Sequence, residues 1–216
     1  MSLILDFLFP KYCYFCHQPH TYLCPACLKT LTPNSIQTLL EHPEIDFSLS
    51  LFRYSGPLKT LLHDLKYNFV YDLVPSISEL ISSTISQNYP NILNHWRTHQ
   101  ATVIPVPLHS FRHNWRGFNQ SELIASKVSQ QLKLNFDPFL INRHRLTSSQ
   151  VSLPHHHLRL QNVANAFSLA STEINQSKNY IVFDDVATTR STLLSVAQTL
   201  KPLNPNSICF LTLAGS

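Results

Sequence analysis

Asp184 and Asp185 stand together where four apolar residues, Tyr180, Ile181, Val182 and Phe183, give way to a stretch rich in hydroxyls. The apolar run reads as a strand buried on both faces, and a parallel strand delivers the residues after it to the sheet edge where open α/β folds bind ligands. Thr188, Thr189, Ser191 and Thr192 then supply hydroxyls and backbone N–H groups. Leu193, Val196, Ala197 and Leu200 recur at helical spacing, so the hydroxyls precede a helix N-terminus, which suits phosphate. Two carboxylates beside a hydroxyl-rich turn make a site for a phosphorylated sugar. The plainer alternative is a buried strand, two solvated acids and a helix cap. The glycine count decides among phosphate folds: with only Gly56, Gly117 and Gly215, the chain can form neither G-x-x-x-x-G-K-[ST] nor G-x-G-x-x-G.

A second chemistry sits near the N-terminus. Cys13, Cys16, Cys24 and Cys27 form C-x2-C-x7-C-x2-C, two turns that present four thiolates for a tetrahedral zinc ion. A closed four-thiolate site leaves no open position, so the expected role is structural. Iron would use the same ligands, and His17 and His20 are alternative donors. A disulfide pair is disfavoured because no signal peptide places the chain in an oxidising compartment. The fifth cysteine, Cys209, lies in an apolar run and reads as a buried strand residue.

A third segment, residues 102–132, reads as a short strand, an extended turn set by Pro105 and Pro107, a basic aromatic loop and a helix. The loop holds Arg112, His113, Trp115, Arg116 and Phe118. Asn119 with Glu122 resembles a capping box, and Ile124, Val128 and Leu132 share one helical face. Arginines that meet phosphates beside aromatics that stack on bases would suit single-stranded DNA. A net charge of +4 excludes a strongly polybasic binder.

Residues 181–192 resemble the signature of type I phosphoribosyltransferases for phosphoribosyl pyrophosphate (PRPP), a strand, D-D and a T-T-G-x-T loop. By that resemblance Asp184 and Asp185 hold the ribose hydroxyls and are the catalytic residues, while Ala187, Thr188, Thr189, Arg190, Ser191 and Thr192 surround the 5′-phosphate. Arg190 departs from the pattern, standing where the loop usually has glycine; its Cβ restricts positive φ and its side chain would crowd the phosphate or pair with it. Pro107 and Leu108 would lie beside the pyrophosphate, with Mg2+ offsetting its charge. Together with PVPLH, RGFNQ at 116–120 and R-x-x-N-V at 159–163, this loop resembles the ComF family, specifically its ComFC competence proteins, over nearly the whole chain. The resemblance implies a phosphoribosyltransferase-like fold and DNA uptake in natural transformation. Its expected partners are PRPP, single-stranded DNA, contacted by Arg112, Trp115 and Arg116, and other DNA-uptake proteins. An active transferase moving ribose 5-phosphate from PRPP to an acceptor is the alternative.

These sites need elements to place them. The 216 residues suit one domain of ordinary size plus a small module that needs its metal to fold. The expected division is a zinc module at 1–32, a linker at 33–45 and a phosphoribosyltransferase-like domain at 46–216. In the latter, strands alternating with helices predict a mainly parallel, Rossmann-like α/β sheet with helices on both faces. A strand is expected at 49–54. Leu58, Leu61, Leu62 and Leu65 then form a helical face, Lys66 is read as a surface charge at that helix's end, and residues 77–97 are helical with a break at Pro90. A short strand near 139–142 leads into a basic loop containing His155, His156 and His157, read as solvated and phosphate-facing rather than metal-binding. With the chain ending after its last strand, no C-terminal lid over a nucleobase is expected. No apolar run is long enough to span a bilayer. The segment MSLILDFLFP is expected to pack on the zinc module, or else to lie on a membrane surface. The predicted location is cytoplasmic, with peripheral contact at the inner membrane as the variant.

Overall fold

The chain is described from a computed structural model over residues 10–35, 45–144, 166–170, 179–187 and 191–215. Five strands form a parallel sheet: β1 Phe47–Arg53, β2 Thr102–Pro105, β3 Asn135–Phe136, β6 Asn179–Ala187 and β7 Ser207–Gly215, in the order β1-β7-β6-β2-β3. β4 Ile141–Arg143 and β5 Phe167–Leu169 pair antiparallel as a separate ribbon. This is the parallel α/β architecture expected, with β6 at its centre.

The central strand explains itself by alternation. Ile181 and Phe183 join a core with α2 Gly56–Tyr67, α3 Leu73–Asn88, α4 Pro90–Thr98 and α6 Gln120–Leu132. Tyr180 and Val182 point the other way, into a core with α7 Ser191–Leu200 and the β4–β5 ribbon. Successive side chains of a strand face opposite sides, so a strand with helices on both faces must be apolar at every position. The predicted face of α2, Leu58, Leu61, Leu62 and Leu65, is buried. Residues 77–97 fall in two helices, α3 and α4. Pro90 is the first residue of α4, where its missing N–H has no helical partner to lose. β1 begins at Phe47, and Ile45 just before it is also buried.

Close packing fixes one end of the sheet. A Cβ on Gly215 would come within 2.5 Å of Ser50 Oγ, the hydroxyl that meets Thr212 Oγ1 at 2.8 Å between β1 and β7. Cys209 is buried in β7 as expected, and burial pushes its thiol up to about 12.

One expected loop is a helix. Residues 110–116 form α5 Ser110–Arg116, started by His109, whose Nδ1 accepts from Phe111 N at 3.1 Å. Nothing between those residues breaks a helix. Gly117 ends it at φ +79°, a left-handed conformation that glycine takes without the Cβ penalty.

The cysteine module is a compact knuckle with one short helix, α1 Pro25–Leu28, and a bridge between Tyr12 and Pro19. It packs on the helical core through buried Leu23 and partly buried Tyr14, Phe15, Tyr22 and Leu28. Lys11 pairs with Asp72 at 2.9 Å, and the Tyr14 hydroxyl donates to Asp64 Oδ2 at 2.7 Å. Asn34 is held on β1 by its N–H to Leu51 O and its amide to Ser50 O. The segment MSLILDFLFP up to residue 9, most of the linker (36–44) and the histidine-rich loop (145–165) lie outside the described residues. Among the described residues, no helix is long and apolar enough to cross a membrane.

Candidate functional site

β6 carries Asp184 and Asp185 to its C-terminal end, with Asp184 in register with Thr212 of β7. Both acids are held from the same side of the fold. Ser121, in the first turn of α6, donates its hydroxyl to Asp184 Oδ1 at 2.8 Å, and the Asp185 N–H donates to that same oxygen at 2.9 Å. Lys66 Nζ, at the end of α2, lies 2.8 Å from Asp185 Oδ2. The Asp185 side chain is only 3% exposed and that of Lys66 21%.

Lys66 is therefore not the surface charge expected from its helix-end position. The α2 face that buries Leu58 to Leu65 brings the last turn over the sheet edge, and the ammonium meets the buried acid there. Burial works against its charge, but Asp185 and then Asp184 outweigh it and hold the ammonium above its ordinary range. Asp184 moves the opposite way. Burial, then the neighbouring Asp185 charge, push its carboxyl up to about 7, although Lys66 and the Ser121 hydroxyl pull it down. Near neutral pH Asp184 is thus a carboxyl poised between its two states.

The segment RGFNQ builds the support for Ser121. Gly117 closes α5, and Asn119 caps α6 by accepting from Ser121 N at 3.2 Å. The Asn119 amide donates to Val106 O at 3.1 Å, which ties the cap to the end of β2. Arg116 is buried, donating to Gln120 Oε1 at 2.6 Å, with its guanidinium carbon 5.5 Å from the centre of the Tyr67 ring. Phe118 packs on Tyr71 at 4.4 Å. Thus much of the motif is architecture that sets α6 against the acid pair.

Exposed aromatic rings gather beside it. Tyr67, Phe69 and Tyr71, in and after the last turn of α2, and Phe111 and Trp115 on α5 are all exposed. Phe69 and Trp115 meet at 5.8 Å, and the Tyr71 hydroxyl donates to Arg116 O at 3.4 Å. The structure thus joins Trp115 to Phe69, and Arg116 to Tyr67 and Tyr71, three aromatics that the sequence does not single out. Tyr67 directly follows Lys66, so this surface adjoins the acid pair.

The other expected positions are spread around the sheet edge. Ala187 is buried at the end of β6, Ser191 is buried and Thr192 half-buried at the start of α7. Pro107 and Leu108 are half-buried in the turn after β2, where Pro107 O accepts from Arg143 Nη1 at 3.4 Å. Thr188, Thr189, Arg190 and the Arg112 side chain lie outside the described residues. Ser121 and Lys66 are the additions. Ser121 could have been read from its place two residues after a cap, and Lys66 from its place at the end of an apolar helical face.

The four knuckle cysteines place their sulfurs within 4.8 Å of one another, Cys16 and Cys24 at 3.6 Å. A tetrahedral zinc with bonds near 2.3 Å sets its sulfurs roughly 3.8 Å apart, so the donor set fits the ion. Among the described residues, neither His17 nor His20 joins this group. Both instead turn the chain at positive φ, at 60° and 69°. Burial raises the Cys13 thiol, but N–H donors led by Cys24, at 3.4 Å, outweigh it and bring the thiol to about 6. The backbone thus prepares a thiolate at Cys13, while the neighbouring Cys24 and Cys16 sulfurs push the Cys27 thiol up.

No protein-family profile matches the chain. It is 32% identical over 185 residues to the DNA utilization protein YhgH of Escherichia coli O157:H7, spanning 82% of this chain and 77% of that one. It is 29% identical to competence protein F of Haemophilus influenzae, over 88% and 82% of the two chains. It is 26% identical to competence protein ComFC of Bacillus subtilis, over 88% and 78%. Among solved structures, adenine phosphoribosyltransferase from Leishmania donovani aligns at a TM-score of 0.35 and 11% identity, over 63% of this chain and 68% of that one.

Proposed function

Because this chain belongs to the family of the DNA utilization protein YhgH and the competence proteins F and ComFC, we propose that it handles incoming single-stranded DNA in natural transformation and binds PRPP at the Asp184–Asp185 pair. The observation that carries the PRPP half is the placement of two adjacent carboxylates at the C-terminal end of the central parallel strand, one ion-paired to Lys66 and one hydrogen-bonded to Ser121. Carboxylates held rigid in this way can accept from the two hydroxyls of a ribose without reorganising. The α7 N-terminus and the preceding hydroxyls take the 5′-phosphate, and the turn at Pro107 and Leu108 lies on the pyrophosphate side. Magnesium arrives with the pyrophosphate and offsets its charge.

The exposed rings of Phe69, Tyr71, Phe111 and Trp115 support the DNA half. Bases stack on such rings without regard to sequence, while cations of the same segments meet the backbone. Trp115 meets Phe69 within that surface. Arg116 acts by holding it together, since its guanidinium is engaged with Gln120 and Tyr67.

In the alternative, the same pocket turns over. Pyrophosphate leaves C1 of the ribose with the bonding pair as an acceptor supplies a new pair to C1, and the acid pair stabilises the positive charge that develops on the ring. A carboxyl poised near 7 at Asp184 favours this reading, because it can also exchange a proton with the acceptor. The test is calorimetric titration of the zinc-loaded protein with Mg-PRPP, alongside a folded Asp184→Asn, Asp185→Asn double variant. Saturable binding lost in the variant supports the reading; absence of binding by the wild-type protein sinks it.

A further inference from the structure

The last turn of α2 is a junction. Asp64 accepts from the Tyr14 hydroxyl of the cysteine knuckle at 2.7 Å and from the Asn68 amide at 2.8 Å, while its own carbonyl accepts from Asn68 N at 3.0 Å and Val70 N at 3.4 Å. Two residues on, Lys66 meets the buried Asp185. The next residue, Tyr67, lies under the Arg116 guanidinium. Three functional parts of the molecule, the metal knuckle, the acid pair and the aromatic surface, therefore meet on one turn of helix.

We propose that Lys66 is a positioning residue of the ribose-binding pair, and that the zinc knuckle sets its place through the Tyr14–Asp64 hydrogen bond. This rests on the reading of Asp184 and Asp185 as the ribose site. A lysine side chain has four rotatable bonds and no preferred direction of its own, so an ammonium held 2.8 Å from a buried carboxylate depends on where its backbone is fixed. The end of a helix is where the backbone is least fixed, because its last carbonyls lack intrahelical partners. Here the turn is fixed from outside. Tyr14 lies between Cys13 and Cys16, two of the four candidate metal ligands, so its hydroxyl is aimed by the turn that the metal closes. The Tyr14–Asp64 bond is partly buried and charge-assisted, the kind that is worth most. Loss of the metal would free Tyr14, loosen the turn and let Lys66 leave Asp185. Asp185 would then be a buried acid without its cation and could no longer accept from a sugar in a fixed geometry.

The test uses the full-length, zinc-loaded protein and two readouts. The first is the acetylation rate of each lysine by an N-hydroxysuccinimide ester, read by peptide mass spectrometry, which needs no phosphoribosyl ligand. The second is the affinity for Mg-PRPP. Tyr14→Phe keeps the ring and removes the hydroxyl. Lys11→Gln is the control, cutting the knuckle's contact to Asp72, just before α3. Thermal melts establish that each variant is folded. In the wild-type protein Lys66 should be among the slowest lysines to react. Tyr14→Phe should speed it about tenfold, leave surface lysines unchanged and weaken Mg-PRPP by a similar factor, the scale of one charged hydrogen bond. Lys11→Gln should do neither, and chelation of zinc should reproduce the effect of Tyr14→Phe. Fast Lys66 acetylation in the wild-type protein, or no response to Tyr14→Phe, would overturn the coupling whatever PRPP does. A Lys66 response without any PRPP binding by the wild-type protein would support the coupling and overturn the ribose role.

Discussion

Lys66 and Asp185, far apart in the chain, meet at 2.8 Å at the end of the central strand. The partnership is unequal. The Lys66 side chain is 21% exposed and that of Asp185 only 3%, so the ammonium is the cation that faces the buried acid.

Removing one partner of such a pair costs more than the pair contributes. Lys66→Met should lower stability by about 3 kcal/mol in urea denaturation, and adding Asp185→Asn should restore most of it. Equal losses from the two substitutions made singly, with no recovery in the double variant, would mean that the pair is not coupled.

Asp184 gives the protein a pH signature. Its carboxyl titrates at about 7 in the folded chain against an ordinary 3.8, so between those values the folded state holds a proton that the unfolded state has lost. This contribution is therefore greatest below pH 4 and falls as pH rises toward 7, beyond which it is flat. Asp184→Asn should be close to the wild-type protein near pH 4 and more stable than it at pH 8, by on the order of a few kcal/mol. Urea midpoints of both proteins at the two pH values check this.

The knuckle should fail without its metal. With a strong chelator, four cysteines should react with a thiol reagent while Cys209 stays protected, since it is buried in β7. Reaction of all five together would show that the knuckle and the sheet unfold as one unit.

Much of this was legible in the sequence because it is local. Cysteine spacing names the four sulfurs that cluster, an apolar run before two acids names the strand end, and the spacing of Leu58, Leu61, Leu62 and Leu65 names the buried face of α2. The cap at Asn119 was legible too, with the difference that its oxygen bonds Ser121 N. What escaped depends on contacts between distant segments. Lys66 looks like a helix-end charge until the sheet edge is placed beneath it. Tyr67, Phe69 and Tyr71 look like scattered aromatics until Trp115 is brought against Phe69 and Arg116 against the two tyrosines. The helical state of residues 110–116 was hidden by the prolines before it, which govern only their own neighbourhood.

The aromatic surface makes a separable prediction for DNA. Trp115→Ala and Phe69→Ala should each weaken an oligothymidylate about tenfold while leaving the salt dependence unchanged, because stacking releases no counterions. Arg112→Ala should instead flatten the salt dependence. Fluorescence anisotropy across a salt series separates the two effects.

The central claim is that Asp184 and Asp185 recognise the two hydroxyls of a ribose, and calorimetry with ribose 5-phosphate and 2-deoxyribose 5-phosphate tests it most directly. The two sugars share the phosphate and differ by the one hydroxyl that the pair should hold. Ribose 5-phosphate should bind more tightly by about 10- to 100-fold, the worth of one hydrogen bond to a charged group, and Asp184→Asn with Asp185→Asn should abolish the difference. Equal affinities for the two sugars would contradict the account.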